Sequence, residues 1–266
     1  MKKPPFHFVP LPRSRSSAKP RASGRTMMID DGLPLAYVRD LVALAGDYVD
    51  LAKIKTGTAR FYPRELLVRK LRLYKKSRIQ PFLGGQFHEY VFATQGEKAL
   101  ARYYEESRAL GFEAIEISDN TVPLTDAQRR SQIRAAAKAG LTVYGEVGSK
   151  ETMSNPKLLI GQARLCFDAG AALVLVEAAE LVEKGRLRKK TIDLLVKSLD
   201  LSRVMIELPG PWISDVRSCD IEDMKKALVL ELGPDVNLAN VSPFSIIDTE
   251  ATRTGLGTAG PLKVLR

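Results

Sequence analysis

Four glutamates each stand at or near the end of a short apolar run. Glu116 lies in Ile115-Glu116-Ile117, Glu146 in Val143-Tyr144-Gly145-Glu146-Val147, Glu177 closes Val174-Leu175-Val176, and Glu207 closes Val204-Met205-Ile206. Lys53 ends a similar run, Leu51-Ala52-Lys53, and Lys55 follows two residues on. Carboxylates gathered with an ammonium group suit a divalent cation and an anionic substrate. A hard cation such as Mg2+ takes oxygen ligands and keeps positions open for water or a substrate oxygen. One such glutamate could simply pair with Lys53. Four at matched positions are costly to bury unless something compensates them, so the set points to a site.

The runs that carry these residues must place them together. Each is continuously apolar rather than alternating, which is the pattern of a parallel strand covered on both faces. Such runs occupy 26–30, 48–54, 79–83, 113–117, 141–146, 172–177, 204–207 and 236–238. Helical spacing separates them: 35–44, 63–76, 97–110, 125–139, 156–169, 191–199, 214–232 and 243–252. Pro63 suits a first helical turn. Thr125 with Gln128 forms a capping box, and Gly111 and Gly170 suit C-caps. Eight strand–helix units joined by short connections predict a closed (β/α)8 barrel, whose chemistry sits at the C-terminal ends of its strands. An open doubly wound sheet is the alternative, but no G-x-G-x-x-G follows the first strand.

The rim then collects Asp30, Lys53, Lys55, Gly84, Gly85, Glu116, Ser118, Asp119, Glu146, Lys150, Glu177, Glu207, Asn237 and Asn240. The paired glycines would let backbone N–H groups approach a ligand. His7 and His88 are the only histidines, which excludes a His-based triad or a multi-His metal site. Cys166 and Cys219 lack metal-ligand spacing, and a reducing cytoplasm is expected.

The chain of 266 residues fits one barrel domain over 25–254, with a basic arm at 1–24 and an irregular tail at 255–266. The arm, rich in Pro, Ser, Lys and Arg, reads as extended or disordered. No apolar run is long enough for a membrane span. The net charge of +10 is spread over the arm and helix surfaces. Without a nucleic-acid motif it reads as a solvated face, not a nucleic-acid interface. We expect a homo-oligomer.

With those residues in place, the chain resembles the phosphosulfolactate synthase family from about residue 18 to 254. The segments that carry the resemblance are Lys19-Pro20-Arg21, Asp47-Tyr48-Val49-Asp50 leading to Lys53 and Gly57-Thr58, Phe82-Leu83-Gly84-Gly85, Ile115-Glu116-Ile117-Ser118-Asp119, Gly145-Glu146-Val147-Gly148-Ser149-Lys150, Glu177-Ala178 and Asn237-Leu238-Ala239-Asn240. The resemblance implies a (β/α)8 barrel and Mg2+-dependent addition of sulfite to phosphoenolpyruvate. It implies catalytic roles for Lys150, Lys53 and Glu116, with metal ligation by Glu146, Glu177 and Glu207. Lys55, Gly84, Gly85, Ser118, Asn237 and Asn240 would bind substrate. Three departures stand out: Gln86 where the family commonly has Thr, Leu208 where it has Ala, and Ala179 where it has an arginine. They raise two alternatives: a family member with another nucleophile or enol-acid substrate, or a non-catalytic relative akin to the family's plant heat-stress proteins.

Overall fold

The structure, a computed structural model, describes residues 4–12, 15–16, 18–148, 155–183, 186–210, 213 and 216–257. Eight parallel strands close a barrel. In chain order the elements are β1 (Thr26–Asp30), α1 (Leu35–Ala45), β2 (Leu51–Ile54), α2 (Arg64–Lys76), β3 (Gln80–Leu83), α3 (Gly85–Gln95), α4 (Lys98–Leu110), β4 (Ala114–Ile117), α5 (Asp126–Lys138), β5 (Thr142–Val147), α6 (Pro156–Ala169) and β6 (Leu173–Glu177). A small antiparallel hairpin follows, β7 (Val182–Glu183) with β8 (Arg186–Leu187), and then α7 (Lys189–Ser198), β9 (Val204–Glu207), α8 (Ser218–Leu232), β10 (Leu238–Val241) and α9 (Ile246–Thr254). The hydrogen-bonded order around the barrel is β1-β10-β9-β6-β5-β4-β3-β2.

Period-2 alternation sorts each strand's side chains. Met27, Leu51, Phe82, Ala114, Tyr144, Leu173, Leu175, Met205 and Ala239 fill the barrel interior. Phe82 and Tyr144 meet edge to face there, with ring centroids 5.0 Å apart. The intervening residues, such as Ile115, Val143, Val174 and Ile206, pack beneath the helices. Both faces are therefore apolar, which is why the strands read as unbroken apolar runs.

The Thr125–Gln128 capping box forms as expected, and Gly111 and Gly170 end α4 and α6 in left-handed conformations. Two elements were not legible. The helix α3 starts directly on Gly84 and Gly85, in a stretch of glycine, aromatic and β-branched residues with weak helix propensity. The hairpin β7–β8 is too short to show periodicity. The last barrel strand begins at Leu238, not at Val236, and this displacement moves Asn237 out of the rim.

Residues 15, 16 and 18–25 lie against the N-terminal end of the barrel. Arg21 pairs with buried Asp50 at 2.8 Å, and Arg15 pairs with Glu250 at 2.7 Å. The Lys19 ammonium reaches the Gly46, Val49 and Arg78 carbonyls.

One buried group sets an acid limit on this fold. His88 of α3 stacks on Tyr104 of α4 and shares a 3.0 Å hydrogen bond with its hydroxyl. Burial pushes its pKa down from 6.5 to about 4. The unfolded chain therefore binds a proton that the folded chain refuses between those values. Stability should fall by about 3 kcal/mol as pH drops from 6.5 towards 4. Unfolding titrations across that range should show a visibly flatter acid limb in His88→Phe. Equal limbs in the two proteins would remove His88 from the account.

Candidate active site at the barrel mouth

The inward-facing parity that buries Leu51, Ala114, Tyr144 and Met205 also turns Lys53, Glu116, Glu146 and Glu207 inward, two residues further along their strands. Oxygens of Glu116, Glu146 and Glu207 all lie within 4.8 Å of one another. The Lys53 ammonium sits among them, 2.8 Å from Glu116 Oε2 and 2.7 Å from Glu207 Oε1. All four residues are buried.

Burial alone would depress the Lys53 ammonium, but Glu116, Glu207 and Glu146 outweigh it and hold it well above its ordinary range. Burial drives the Glu116 carboxyl the other way. Lys53 opposes that shift, the charges of Glu146 and Glu207 add to it, and the carboxyl is held well above the usual carboxylate range. Three carboxyls converge around the Lys53 ammonium. All three are hard oxygen donors, so a divalent cation such as Mg2+ fits them.

Glycine makes room for this arrangement. The Gly85 N–H donates to Glu116 Oε1 at 2.8 Å, and a Cβ at Gly85 would lie 2.1 Å from Ser118 Oγ and 2.9 Å from Glu116 Oε1. A Cβ at Gly84 would crowd Lys53 Cε at 3.2 Å. The same backbone is the N-terminus of α3, whose dipole favours negative charge at the mouth. The pocket between these residues is also lined by Ile29, Lys55, Thr56, Gln86, Asn120 and Asn240.

Several expected rim residues stand elsewhere. Asp30 faces outward at the end of β1, where Lys70 and Tyr74 of α2 each bond it at 2.8 Å. Asn237 lies at the opposite end of the barrel. Its amide donates to the Leu201, Ser202 and Val204 carbonyls and its oxygen accepts the Arg25 N–H. The Ser118 hydroxyl is buried and donates to Glu89. Register sets Glu146 opposite Leu175 and Glu177 opposite Glu207. Glu177 is thus two residues beyond the level of Glu146, and with the strand tilt of a barrel it stands above the other three carboxylates. It is buried but outside their cluster. Lys150 lies outside the described residues.

Asn240 reaches the mouth by a local irregularity. Alternation from Ala239 would point it outward. The register of β10 against β1 slips between Thr26 and Met28, and Asn240 takes a left-handed φ of 57° that asparagine tolerates. Its amide donates to the Leu208 carbonyl at 3.2 Å.

The residue that sequence reasoning missed is Glu89. Buried on α3, it accepts the Ser118 and Thr121 hydroxyls and the backbone N–H groups of Asn120, Thr121 and Val122. This fastens the loop after β4. Asn120 can then donate to Glu146 Oε1 at 2.7 Å. A lone acid in a stretch whose helix is itself not legible in the sequence carries no signal of such a role. Glu89→Gln would set an amide NH2 against a ring of donors. It should cost about 3 kcal/mol in denaturant unfolding. A change under about 1 kcal/mol would show that the loop holds without this carboxylate.

Comparison with known proteins agrees with this geometry. The family model described as (2R)-phospho-3-sulfolactate synthase (ComA) matches residues 14–258. This chain belongs to the phosphosulfolactate synthase family. It is 32% identical to the phosphosulfolactate synthase of Methanothermobacter thermautotrophicus over 94% of this chain and 95% of that one. It is 31% identical to the phosphosulfolactate synthase of Methanocaldococcus jannaschii over 88% of this chain and 92% of that one. Among solved structures it resembles 3-hexulose-6-phosphate synthase from Salmonella typhimurium, with a TM-score of 0.51, 17% identity, and coverage of 91% and 98%. That likeness concerns the fold alone. The family assignment and the closed barrel agree with the expectation drawn from the residues.

Proposed function

We propose that the barrel mouth adds sulfite to phosphoenolpyruvate with Mg2+ assistance, forming phosphosulfolactate. The observation that carries this reading is the convergence of Glu116, Glu146 and Glu207 around Lys53 in a buried, oxygen-rich mouth. The sulfur lone pair of sulfite would attack the methylene carbon, the double-bond electrons would move toward the carboxylate, and a proton would arrive at C2. The phosphate ester stays intact. Glu116, Glu146 and Glu207 would hold the cation, which when bound would supply positive charge where the substrate carboxylate becomes more negative.

The chain's own residues divide the remaining work. Lys53 is held strongly protonated by its carboxylate neighbours. An acid that gives up its proton so reluctantly is a poor donor near neutral pH, so Lys53 suits charge compensation and positioning. The proton to C2 falls to another group, with Lys150 the candidate implied by the family pattern. The N-terminus of α3 and Lys55 supply positive potential for the two anions. Gly84 and Gly85 let the backbone approach them.

Ala179 sits in the short turn after β6, half-buried, where the family pattern has an arginine. Its small side chain leaves the anion subsite with one charge fewer on that loop. The deciding experiment is Mg2+-dependent loss of phosphoenolpyruvate with sulfite and with a panel of other nucleophiles. We expect turnover with sulfite that improves in Ala179→Arg. Activity only with another nucleophile would replace the substrate assignment. Absence of both turnover and metal binding would favour a non-catalytic relative.

A further inference from the structure

The barrel's other end carries a second concavity that the mouth chemistry does not use. Its volume is about 570 Å³, within the range of small-molecule sites. Pro20, Arg21, Ala22 and Arg25 form one wall, and Leu51, Leu173 and Tyr144 form an apolar floor beneath the barrel interior. The Tyr144 hydroxyl donates to Gln80 Oε1 at 2.6 Å, which adds a polar edge to that floor.

The charge on the rim is lopsided. Five cations, Arg21, Arg25, Lys75, Arg78 and Arg203, face two acids, Asp50 and Glu113. Arg21 is spent on Asp50 at 2.8 Å, and Lys75 lies 3.5 Å from Glu113. Arg25, Arg78 and Arg203 have no carboxylate partner among the described residues. Two of them are clustered by their backbone bonds. Arg203 is anchored on the Ala171 and Ala172 carbonyls. Arg25 reaches the carbonyl of Ser202, the residue before Arg203, at 3.4 Å. Arg78 holds a left-handed φ of 56° and its side chain is exposed at the rim. Three guanidiniums around one concave site raise its positive potential well beyond that of a flat charged surface. A guanidinium also matches phosphate and carboxylate oxygens two at a time.

We propose that this basin binds a small organic polyanion, with phosphate groups on the arginines and a flat apolar body over Leu51, Leu173 and Tyr144. It is separate from the mouth, because the strands run from this end toward Lys53 and the carboxylate cluster at the other. A ligand here is therefore not the substrate of the mouth.

The test is calorimetric titration of the full-length protein in metal-free, low-salt buffer with ADP and with inorganic pyrophosphate. Both should bind, ADP more tightly because pyrophosphate leaves the apolar floor uncovered. Arg78→Ser should weaken ADP by about tenfold and Arg78→Glu by more, with no change in melting temperature, since the Arg78 side chain supports nothing in the fold. Binding should fall as salt is raised. Lys55→Met, which removes a cation at the mouth, should bind ADP as the parent does. No heat at about 1 mM ADP, or equal affinity in Arg78→Glu and the parent, would overturn the proposal. So would loss of binding in Lys55→Met with retention in Arg78→Glu, which would place the anion at the mouth.

Discussion

Replacing Lys53 with methionine should destabilise the metal-free protein by about 3–5 kcal/mol, because removing one partner of a buried ion cluster leaves the others uncompensated. Glu116 and Glu207 lie within 2.8 Å of the Lys53 ammonium, and nearly all of their surface is buried. They cannot turn to water when it is gone. Added Mg2+ should restore part of the loss, since a cation on the same oxygens replaces the missing charge. Sulfite-dependent turnover should fall about 100-fold or more even at saturating Mg2+. Chemical unfolding with and without the cation, followed by the phosphoenolpyruvate assay, measures each part. A stability change below about 1 kcal/mol would mean that the carboxyls are mostly neutral without Lys53.

The second large effect concerns the cation. Glu146→Gln removes one of three anionic oxygen donors and should weaken Mg2+ or Mn2+ binding by about 100-fold. Its pH dependence has a definite sign. The Glu116 carboxyl is held well above the usual carboxylate range, first by burial and then by Glu146 and Glu207. Any proton held there must leave before a cation binds. Below the raised pKa, affinity in the parent protein should therefore climb with pH, by up to about tenfold per unit for one proton released. Glu146→Gln removes one source of the shift, so its smaller affinity should also depend less on pH. Titrations of Mn2+ from slightly acidic to alkaline pH would show both trends. A parent affinity that is flat with pH would show Glu116 already ionised.

Lys53, Glu116 and Glu146, on which both expectations rest, stand out in the amino-acid sequence alone. A buried parallel strand is apolar throughout, so a glutamate or lysine inside one is conspicuous. Counting inward positions from the apolar core then sends Lys53, Glu116, Glu146 and Glu207 to one place. The same counting is silent on height along the barrel axis. Glu177 has the right parity and the right strand end, yet tilt and register lift it out of the cluster. Asp30 also ends a strand, but with the opposite parity, and Lys70 and Tyr74 hold it beneath α2.

Other features depend on contacts far apart in the chain. A two-residue displacement of β10 turned Asn237 from an expected substrate contact into a clasp on the loop before β9. A bulge brought Asn240 inward, against simple alternation. Glu89 became the fastening of the β4 loop because five donors separated from it by about thirty positions converge on it.

The sequence by itself determined the barrel, the family and a rim of strand-end residues that includes the four charged groups at the centre of the mouth. Each of these is written in local composition: apolar runs of strand length, charged residues at inward parity, and short specific segments in order. Only the tertiary structure decided which carboxylates meet, which asparagine faces the mouth, what holds the loop that presents Asn120, and that three arginines with no carboxylate partner among the described residues share a basin at the far end. Those outcomes depend on strand tilt, register and the distance between side chains on different elements, and no stretch of chain records them alone.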